Sequence, residues 1–271
     1  MTELGSKNTK KVRSINRFMN KKFIITKNVK KFIELTDTLK NAPPNLPKMA
    51  LVYGDFGLGK SQTILWWVTN NDAIYGEANE WNCKQACKYP SEQAKGVAYV
   101  RCNHKMSGRW LLSEIVEELD EIPYYQSSQL FKQIEEKLKF NPRILVIDEI
   151  DFLLNNSSAI EVVRDLHDKI GIPIILVGMN LAEQKLKRHK HIYDRLLGVL
   201  KFETFDKNDV IKIVKELSEV DFTDEALEII ISKFNQFRQL IKFINKAENI
   251  AKMNNLDLIT LDILQGVLSE R

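Results

Sequence analysis

The sequence predicts a three-layer α/β fold, in which a parallel sheet lies between two layers of helices, followed by a small helical lid domain. Apolar runs typical of buried strands alternate with amphipathic helical segments between residues 49 and 205. From Lys207 onward only the helical period remains. A chain of 271 residues is long enough for one large and one small domain. We therefore expect a basic flexible arm at 1–20, an α/β domain at 21–206 and the lid at 207–271.

Periodicity, β-branched content and breaker residues predict each element in chain order. A helix at 28–40 begins at Asn28, a suitable N-cap, and three prolines at 43, 44 and 47 separate it from the first core strand. The predicted strands are 49–53, 96–101, 144–147, 172–178 and 199–205. The other helices predicted before the lid are 62–68, 110–119, 128–139, 159–169, 181–188 and 190–198.

The composition is that of an ordinary globular protein, with 44% hydrophobic and 28% charged residues. No apolar run approaches the roughly 20 residues of a membrane span, and the N-terminus lacks the apolar core of a signal peptide. We therefore expect a cytoplasmic protein with no membrane partner.

The three cysteines, an odd number, argue against a disulfide scaffold. Cys83, Cys87, Cys102 and His104 have side chains that bind zinc, but their spacing departs from the usual C-x-x-C pattern. Free thiols are the favoured interpretation, and a zinc site is the alternative.

Positive charge is concentrated at the N-terminus. The net charge of the whole chain is only +4, yet residues 1–31 contain ten lysines and arginines against the single acidic residue Glu3. A basic arm of this kind suits a polyanion such as DNA or RNA, and a solvated tail is the alternative.

The segment after the first core strand has the spacing of a phosphate-binding loop. It reads Gly54, Asp55, Phe56, Gly57, Leu58, Gly59, Lys60 and Ser61, and Gln62 follows at the start of a helix. Glycines let backbone N–H groups approach phosphate oxygens, and the helix N-terminus adds partial positive charge. We expect Lys60 to reach the terminal phosphates of ATP and the Ser61 hydroxyl to bind Mg²⁺. The alternative is a chance glycine turn.

A carboxylate pair, Asp148 and Glu149, follows the apolar strand 144–147. Open α/β sheets place their ligands at this end of their strands. We expect Asp148 to hold the water shell of Mg²⁺ and Glu149 to polarise the water that attacks the γ-phosphate. An acidic helix cap is the alternative. A small-molecule phosphotransferase needs no such water-activating carboxylate, so Glu149 favours a nucleotide hydrolase.

Together these motifs resemble those of an AAA+ ATPase. The resemblance implies that Asn180 is a first sensor of the nucleotide, that Arg195 is an arginine finger acting on a neighbouring subunit, and that Arg238 is a second sensor. Without the resemblance, Asn180 reads as a helix cap, Arg195 as a surface partner of Asp194 or Glu183, and Arg238 as a solvent-facing helix residue.

Within AAA+, roughly residues 21–271 resemble the transposition regulators: phage Mu transposition protein B, TnsC and the IstB-like group. The resemblance implies that Phe23 and Ile24, in the lead-in 23–29, help to frame the adenine of ATP. It also implies that the strand and loop 97–105 face DNA. The chain departs from the group at Leu196, where a phenylalanine is frequent, and in the apparent insertion 70–95.

One polar loop carries candidate DNA contacts. Lys105, Ser107 and Arg109 suit phosphate oxygens, and Tyr124 and Tyr125, one helix away, could pack on sugars or bases. An ordinary solvated loop is the alternative. The basic run 187–191 is a second DNA candidate or a subunit-contact helix.

The sequence therefore predicts an ATP-dependent, largely sequence-nonspecific DNA-binding regulator of transposition. ATP with Mg²⁺ would bind between subunits and promote a homo-oligomeric ring or helical filament on duplex DNA. This assembly would mark target DNA and recruit a transposase, and a target-selector protein is a further candidate partner. The alternatives are a helicase loader or replication initiator, and a P-loop signalling ATPase or small-molecule kinase that ignores DNA.

Overall fold

The computed structural model describes residues 23–70 and 96–269. It confirms the three-layer α/β fold, because five strands of the described residues form one parallel sheet. The strands are β1 (Met49–Gly54), β2 (Val97–Arg101), β3 (Ile144–Asp148), β4 (Ile174–Gly178) and β5 (Leu196–Phe202). Their order across the sheet is β2-β3-β4-β1-β5, so β1 and β3 lie on either side of β4.

Eleven α-helices are described. They are α1 (Lys27–Lys40), α2 (Lys60–Asn70), α3 (Gly108–Glu118), α4 (Ser127–Phe140), α5 (Ser157–Ile170), α6 (Ala182–Leu186), α7 (Lys190–Tyr193), α8 (Lys207–Leu217), α9 (Asp224–Lys233), α10 (Phe237–Asn254) and α11 (Leu261–Ser269). A 3-10 turn spans Ile150–Phe152. Within the described part of the chain, no helix is both long enough and apolar enough to traverse a lipid bilayer.

The three central strands β1, β3 and β4 are buried on both faces because helices cover both sides of the sheet. Leu51 and Leu176 face a core shared with α3, α4 and α5, whereas their neighbours Val52 and Val177 face a core shared with α1 and α2. This alternation explains why the strands read as continuous apolar runs rather than as apolar and polar residues in turn.

Contacts divide the chain into two compact units. The described part of 28–203 is called the α/β unit, and residues 23–27 with 204–269 are called the lid unit. The lid unit has its own apolar core, which includes Ile24, Leu240 and Ile244. The predicted boundary at 206–207, as a limit between domains, stays a prediction.

The prediction of a helix at 190–198 is wrong beyond Tyr193. Residues from Leu196 form β5, which pairs with β1 and ends at Phe202 rather than at residue 205. A side chain at Gly198 would meet α1, since its Cβ would lie 2.5 Å from Leu35 Cδ1. Pairing with β1 and the close approach of α1 make this segment a strand, because a short apolar run has no clear helical or strand period of its own.

The prediction of a purely helical lid is also wrong. Strands β6 (Asp221–Phe222) and β7 (Leu258–Ile259) form a two-stranded parallel sheet. A strand of two residues is too short to show a period, so only the fold of the lid unit brings the pair together.

Asn28 does not begin α1, as the sequence predicted, but lies within it. Its side-chain amide donates to the Glu203 carbonyl at 2.8 Å and accepts from the Glu203 N–H at 3.1 Å. The residue therefore fastens α1 to the chain just after β5.

Candidate functional site

Three strands of the α/β unit end at one edge of the sheet and carry the predicted nucleotide residues. The Gly54–Ser61 loop follows β1, Asp148 and Glu149 stand at the end of β3, and Asn180 follows β4 between them. Parallel topology thus brings together segments about 90 and 120 residues apart in the chain, as open α/β sheets do at their ligand sites.

The Gly54–Ser61 loop has the backbone that its glycines allow. A Cβ at Gly54 would lie 2.6 Å from the Phe202 carbonyl oxygen, so only glycine fits there. Gly59 has a φ of +88°, a backbone conformation that favours glycine, and no atom lies within 4 Å of an added Cβ. Leu58 is buried and anchors the loop in the core, whereas Asp55, Phe56 and Gln62 are exposed.

Lys60, the first residue of α2, folds back over this loop. Its Nζ donates to the carbonyl oxygens of Gly54 at 2.6 Å and Asp55 at 2.8 Å. Burial lowers the pKa of Lys60, and the nearby Asp148 carboxylate opposes that effect. The ammonium group is therefore held within the loop, bonded to neutral acceptors that a phosphate could replace.

Asp148 is nearly inaccessible, with 2% of its surface exposed. Its Oδ2 accepts from the Tyr99 hydroxyl at 2.7 Å, and its Oδ1 accepts from the Glu149 N–H at 2.8 Å. Burial, followed by the Asp148 charge, raises the pKa of Tyr99, so this phenol stays a donor. A fixed carboxylate together with the Ser61 hydroxyl is an oxygen donor set that fits Mg²⁺.

Glu149 has an unusual backbone and a charged partner. Its φ of 56° and ψ of 43° place it in the left-handed region, which is strained for a residue other than glycine. Its carboxylate forms an ion pair with Arg101, and Arg101 stands opposite Asp148 in the β2–β3 register. Sequence reasoning missed Arg101, although a basic residue at the end of the neighbouring strand was a readable signal.

Asp151 is a second residue that sequence reasoning missed. Its Oδ2 accepts from the Met179 N–H at 2.6 Å, and this bond fixes the start of the loop that carries Asn180. Asn180 is exposed and is not the cap of α6, because Leu181 holds that position. The helix-cap alternative for Asn180 is therefore wrong.

Arg195 lies at the opposite edge of the sheet. The next residue, Leu196, pairs with Met49 at the start of β1, whereas Gly54 pairs with Phe202 at the other end. Five residues of strand separate the two edges by about 16 Å. Arg195 therefore cannot reach a phosphate bound in its own loop. Its guanidinium pairs with Asp168 rather than with Asp194 or Glu183.

The predicted DNA residues fall into two groups. Lys105, with a φ of 61°, lines a cavity of about 640 Å³ together with His104, Asn155, Ser157 and Ser158. The first turn of α5 is part of this lining, and helix N-termini attract anions. Ser107 lies nearby in the chain and caps α3 by accepting from the Trp110 N–H at 3.1 Å.

The second group is formed by Arg109, Tyr124 and Tyr125. The Arg109 guanidinium lies 4.8 Å from the centre of the Tyr125 ring, and its Nε donates to the Tyr125 carbonyl at 2.7 Å. The side chains of Tyr124 and Tyr125 are exposed, at 57% and 84%. The structure thus joins Arg109 to Tyr125, which is next to Tyr124 in the chain, while Lys105 lines a cavity to which none of the three contributes.

The remaining predicted residues are distributed as follows. Ile24 is buried in the lid core, Phe23 is half-buried, and Arg238 is exposed near the start of α10. Cys83 and Cys87 lie outside the described residues. Burial raises the pKa of Cys102 to about 12, and the described residues contain no group of three side chains suited to a metal ion.

Residues 45–186, more than half of the chain, match the family model described as AAA domain. The chain belongs to the AAA domain family. The nucleotide-site residues from Gly54 to Asn180 all lie within the matched range. A search of curated proteins found no match.

Solved structures with the same fold are only distantly similar to this AAA protein in sequence. The ORC2 protein of Aeropyrum pernix, in ADPNP–ADP complexes, matches with a TM-score of 0.65 at 17% identity, over 88% of this chain and 65% of that one. The A. pernix ORC1 protein in complex with DNA matches with a TM-score of 0.61 at 13% identity, over 91% of this chain and 66% of that one. Cdc6p of Pyrobaculum aerophilum matches with a TM-score of 0.58 at 18% identity, over 85% of this chain and 62% of that one. The chain thus spans just under two thirds of the length of these proteins, and the likeness establishes the fold.

Proposed function

We propose that this AAA protein binds ATP in the Gly54–Ser61 loop and hydrolyses it. One observation carries the proposal: Lys60, Asp148 and Glu149 stand at the same edge of the sheet, with the chemistry that transfer of a phosphoryl group to water requires. Ser61 and Asp148 would hold Mg²⁺, which when bound neutralises charge on the phosphates.

Two side chains would change partners during the reaction. Lys60 would exchange the carbonyls of Gly54 and Asp55 for phosphate oxygens, since a charged acceptor forms the stronger hydrogen bond. Glu149 would orient the attacking water, and its Oε1 must leave Arg101 before that oxygen can accept from the water.

The remaining nucleotide contacts are proposed from the family resemblance. Asn180 would contact the γ-phosphate, and the bond from Met179 to Asp151 would hold its loop in place. Phe23 and Ile24 would frame the adenine, and Arg238 would sense the nucleotide from a lid domain at 207–271.

Arg195 would act on the nucleotide of a neighbouring subunit. Its place at the far edge of the sheet supports action in trans, and a cation at the γ-phosphate stabilises the charge of the transition state. A homo-oligomer, either a ring or a filament, follows from this role. Mixing inactive Arg195→Ala with inactive Lys60→Ala should restore part of the activity, because each variant supplies what the other lacks. No gain despite demonstrated co-assembly would contradict action in trans.

Duplex DNA is the proposed polyanion. Lys105, beside the α5 N-terminus, offers a cation and a helix dipole to backbone phosphates, and Ser107, at the cap of α3, offers a hydroxyl. Arg109, Tyr124 and Tyr125 offer a second contact surface. Such contacts carry no base readout, so binding would be largely independent of sequence.

Of the uses of an ATP-driven assembly on DNA, a role like that of a replication initiator or helicase loader is favoured by the fold similarity to ORC and Cdc6 proteins. Transposition regulation, with a transposase and a target-selector protein as partners, is the second candidate. It is favoured by the local resemblance of residues 23–29 and 97–105 to transposition regulators.

Electron microscopy with defined DNA tests the assembly. The full chain is mixed with duplex or single-stranded DNA, with ATP, with a non-hydrolysable analogue, or without nucleotide, and Lys60→Ala is the matched control. Nucleotide-dependent rings or filaments on duplex DNA, absent with Lys60→Ala, are expected. Equal assembly without nucleotide would contradict the proposal, and assembly confined to single strands would favour a helicase loader over a transposition regulator.

A further inference from the structure

Arg195 is held by a two-pronged contact with Asp168 in its own chain. Its Nε donates to Asp168 Oδ1 at 2.7 Å and its Nη2 to Oδ2 at 2.6 Å, while Nη1 donates to the His191 carbonyl. Every nitrogen of the guanidinium thus has a partner within the α/β unit, and the carboxylate neutralises the positive charge that a finger would use.

The position of the Asp168 carboxylate is fixed by a contact with His167. The Lys48 N–H donates to His167 Nε2 at 3.0 Å, so the ring proton is on Nδ1, which faces Asp168 Oδ1 at 3.0 Å. Hydrogen bonding from Arg195, and then from His167, holds the pKa of Asp168 at about 2. The carboxylate is therefore ionised and oriented toward Arg195 before any other subunit approaches.

Asp194 also attracts Arg195, more weakly than Asp168 does, and two basic side chains nearby contact other carboxylates. Arg164 binds Glu161 and Asp165, and His191 Nε2 contacts Glu161. Asp168 is the acidic group that engages the Arg195 guanidinium with both oxygens, and a phosphate entering at Arg195 would meet this carboxylate as a like charge.

We infer that Asp168 is a positioning residue that latches Arg195 in the free chain and yields it to the nucleotide of a neighbouring subunit on assembly. The inference rests on the proposed action of Arg195 in trans. The latch would suppress hydrolysis by chains that meet only briefly, because phosphate must first displace Asp168. Since both side chains are about one third exposed, the latch shifts the equilibrium by up to about fivefold.

The test measures ATP hydrolysis by the full chain across a range of protein concentrations, at saturating ATP and a fixed concentration of duplex DNA. Asp168→Asn keeps the shape of the side chain and removes its charge. The matched control is Asp165→Asn, because Asp165 lies on the same helix and pairs with Arg164 at 2.9 Å instead. Arg195→Ala and the double variant complete the cycle.

Asp168→Asn is expected to reach its half-maximal rate at a protein concentration up to about fivefold lower than wild type. Asp165→Asn should match wild type, and in the Arg195→Ala background Asp168→Asn should have no effect. A merely structural role for Asp168 would lower the rate or leave it unchanged, and could not produce this gain.

The contrary outcomes separate the latch from the finger. If Arg195→Ala is inactive while Asp168→Asn is no more active than wild type, the latch is overturned and the finger stands. Full activity of Arg195→Ala would contradict both the finger role of Arg195 and the latch role of Asp168. Should Asp168→Asn fail to fold, Asp168→Ser, which likewise removes the charge, must lower the half-maximal concentration instead. An unchanged or higher value overturns the latch.

Discussion

Removing the Arg101 side chain is expected to raise the rate of ATP hydrolysis without DNA. The Glu149 carboxylate is paired with Arg101, on the strand beside its own. Arg101 donates to Glu149 Oε1 from both Nε and Nη2, so this oxygen cannot also orient a water molecule. The Arg101→Ala variant frees Glu149 while leaving Lys60 and Asp148 in place, so hydrolysis should increase and ATP binding should not change.

The size of the effect follows from the exposure of the pair. Arg101 is 62% exposed and Glu149 25%, so water screens their attraction. An ion pair of this exposure contributes at most about 1 kcal/mol, so the pair is broken about one sixth of the time. Removing Arg101 can therefore raise the rate of ATP hydrolysis by up to about sixfold. The same reasoning predicts little change in the free energy of unfolding.

Steady-state phosphate release at saturating ATP measures this rate, and nucleotide fluorescence measures affinity. Lys132→Ala is the matched control, since it removes the cation of an exposed pair with Glu136 on α4. Arg101→Ala combined with Glu149→Gln should be as slow as Glu149→Gln alone. A rate for Arg101→Ala below wild type at unchanged ATP affinity would refute the reasoning, because Arg101 would then support catalysis rather than restrain it.

Four further outcomes are expected. Lys60→Ala should lose ATP binding, measured by nucleotide fluorescence, and wild-type affinity would contradict the assignment of the loop. Glu149→Gln should bind ATP normally, hydrolyse it very slowly and accumulate on DNA, and near-normal phosphate release would exclude the proposed role of Glu149. Lys105→Ala should weaken binding equally on unrelated duplexes and reduce the salt slope by about 1 in a titration, whereas a loss on one sequence only would indicate base readout. The Asp168 pKa of about 2 lies below its unfolded value, so its contribution to stability is present above about pH 4 and fades as the pH falls toward 2. Urea unfolding of wild type and Asp168→Asn should therefore differ at pH 7 and converge near pH 2, and a constant difference would count against the pair.

Most of the fold could be predicted because its signals are local. β1, β3 and β4 are continuous apolar runs bounded by polar residues, and α1, α4 and α5 have a clear apolar face, so periodicity located them to within a few residues. β5 was misassigned because Leu196–Gly198 continues an apolar stretch with no boundary. Its pairing with Met49 and Ala50, nearly 150 residues earlier, is what makes it a strand. The same limitation hid β6 and β7.

The proposed phosphate chemistry could be predicted from the sequence alone, because it depends on residues next to one another. Glycine spacing sets the backbone of the Gly54–Ser61 loop, and the helix that follows supplies the lysine and the hydroxyl. One short segment therefore contains all the groups of the predicted phosphate-binding loop. The proposed roles of Asp148 and Glu149 likewise follow from their position at the end of a buried strand.

Only the tertiary structure decided which charges restrain one another. Arg101 meets Glu149 because β2 lies beside β3, and Arg195 meets Asp168 because the end of α5 lies near the start of β5. Ion pairs between segments far apart in the chain leave no trace in local periodicity, since a charged residue has the same sequence signal whether it is paired or free. The sequence therefore determined which groups this protein has for the proposed binding and cleavage of a nucleotide, and the packing of its sheet and helices decided how those groups are held.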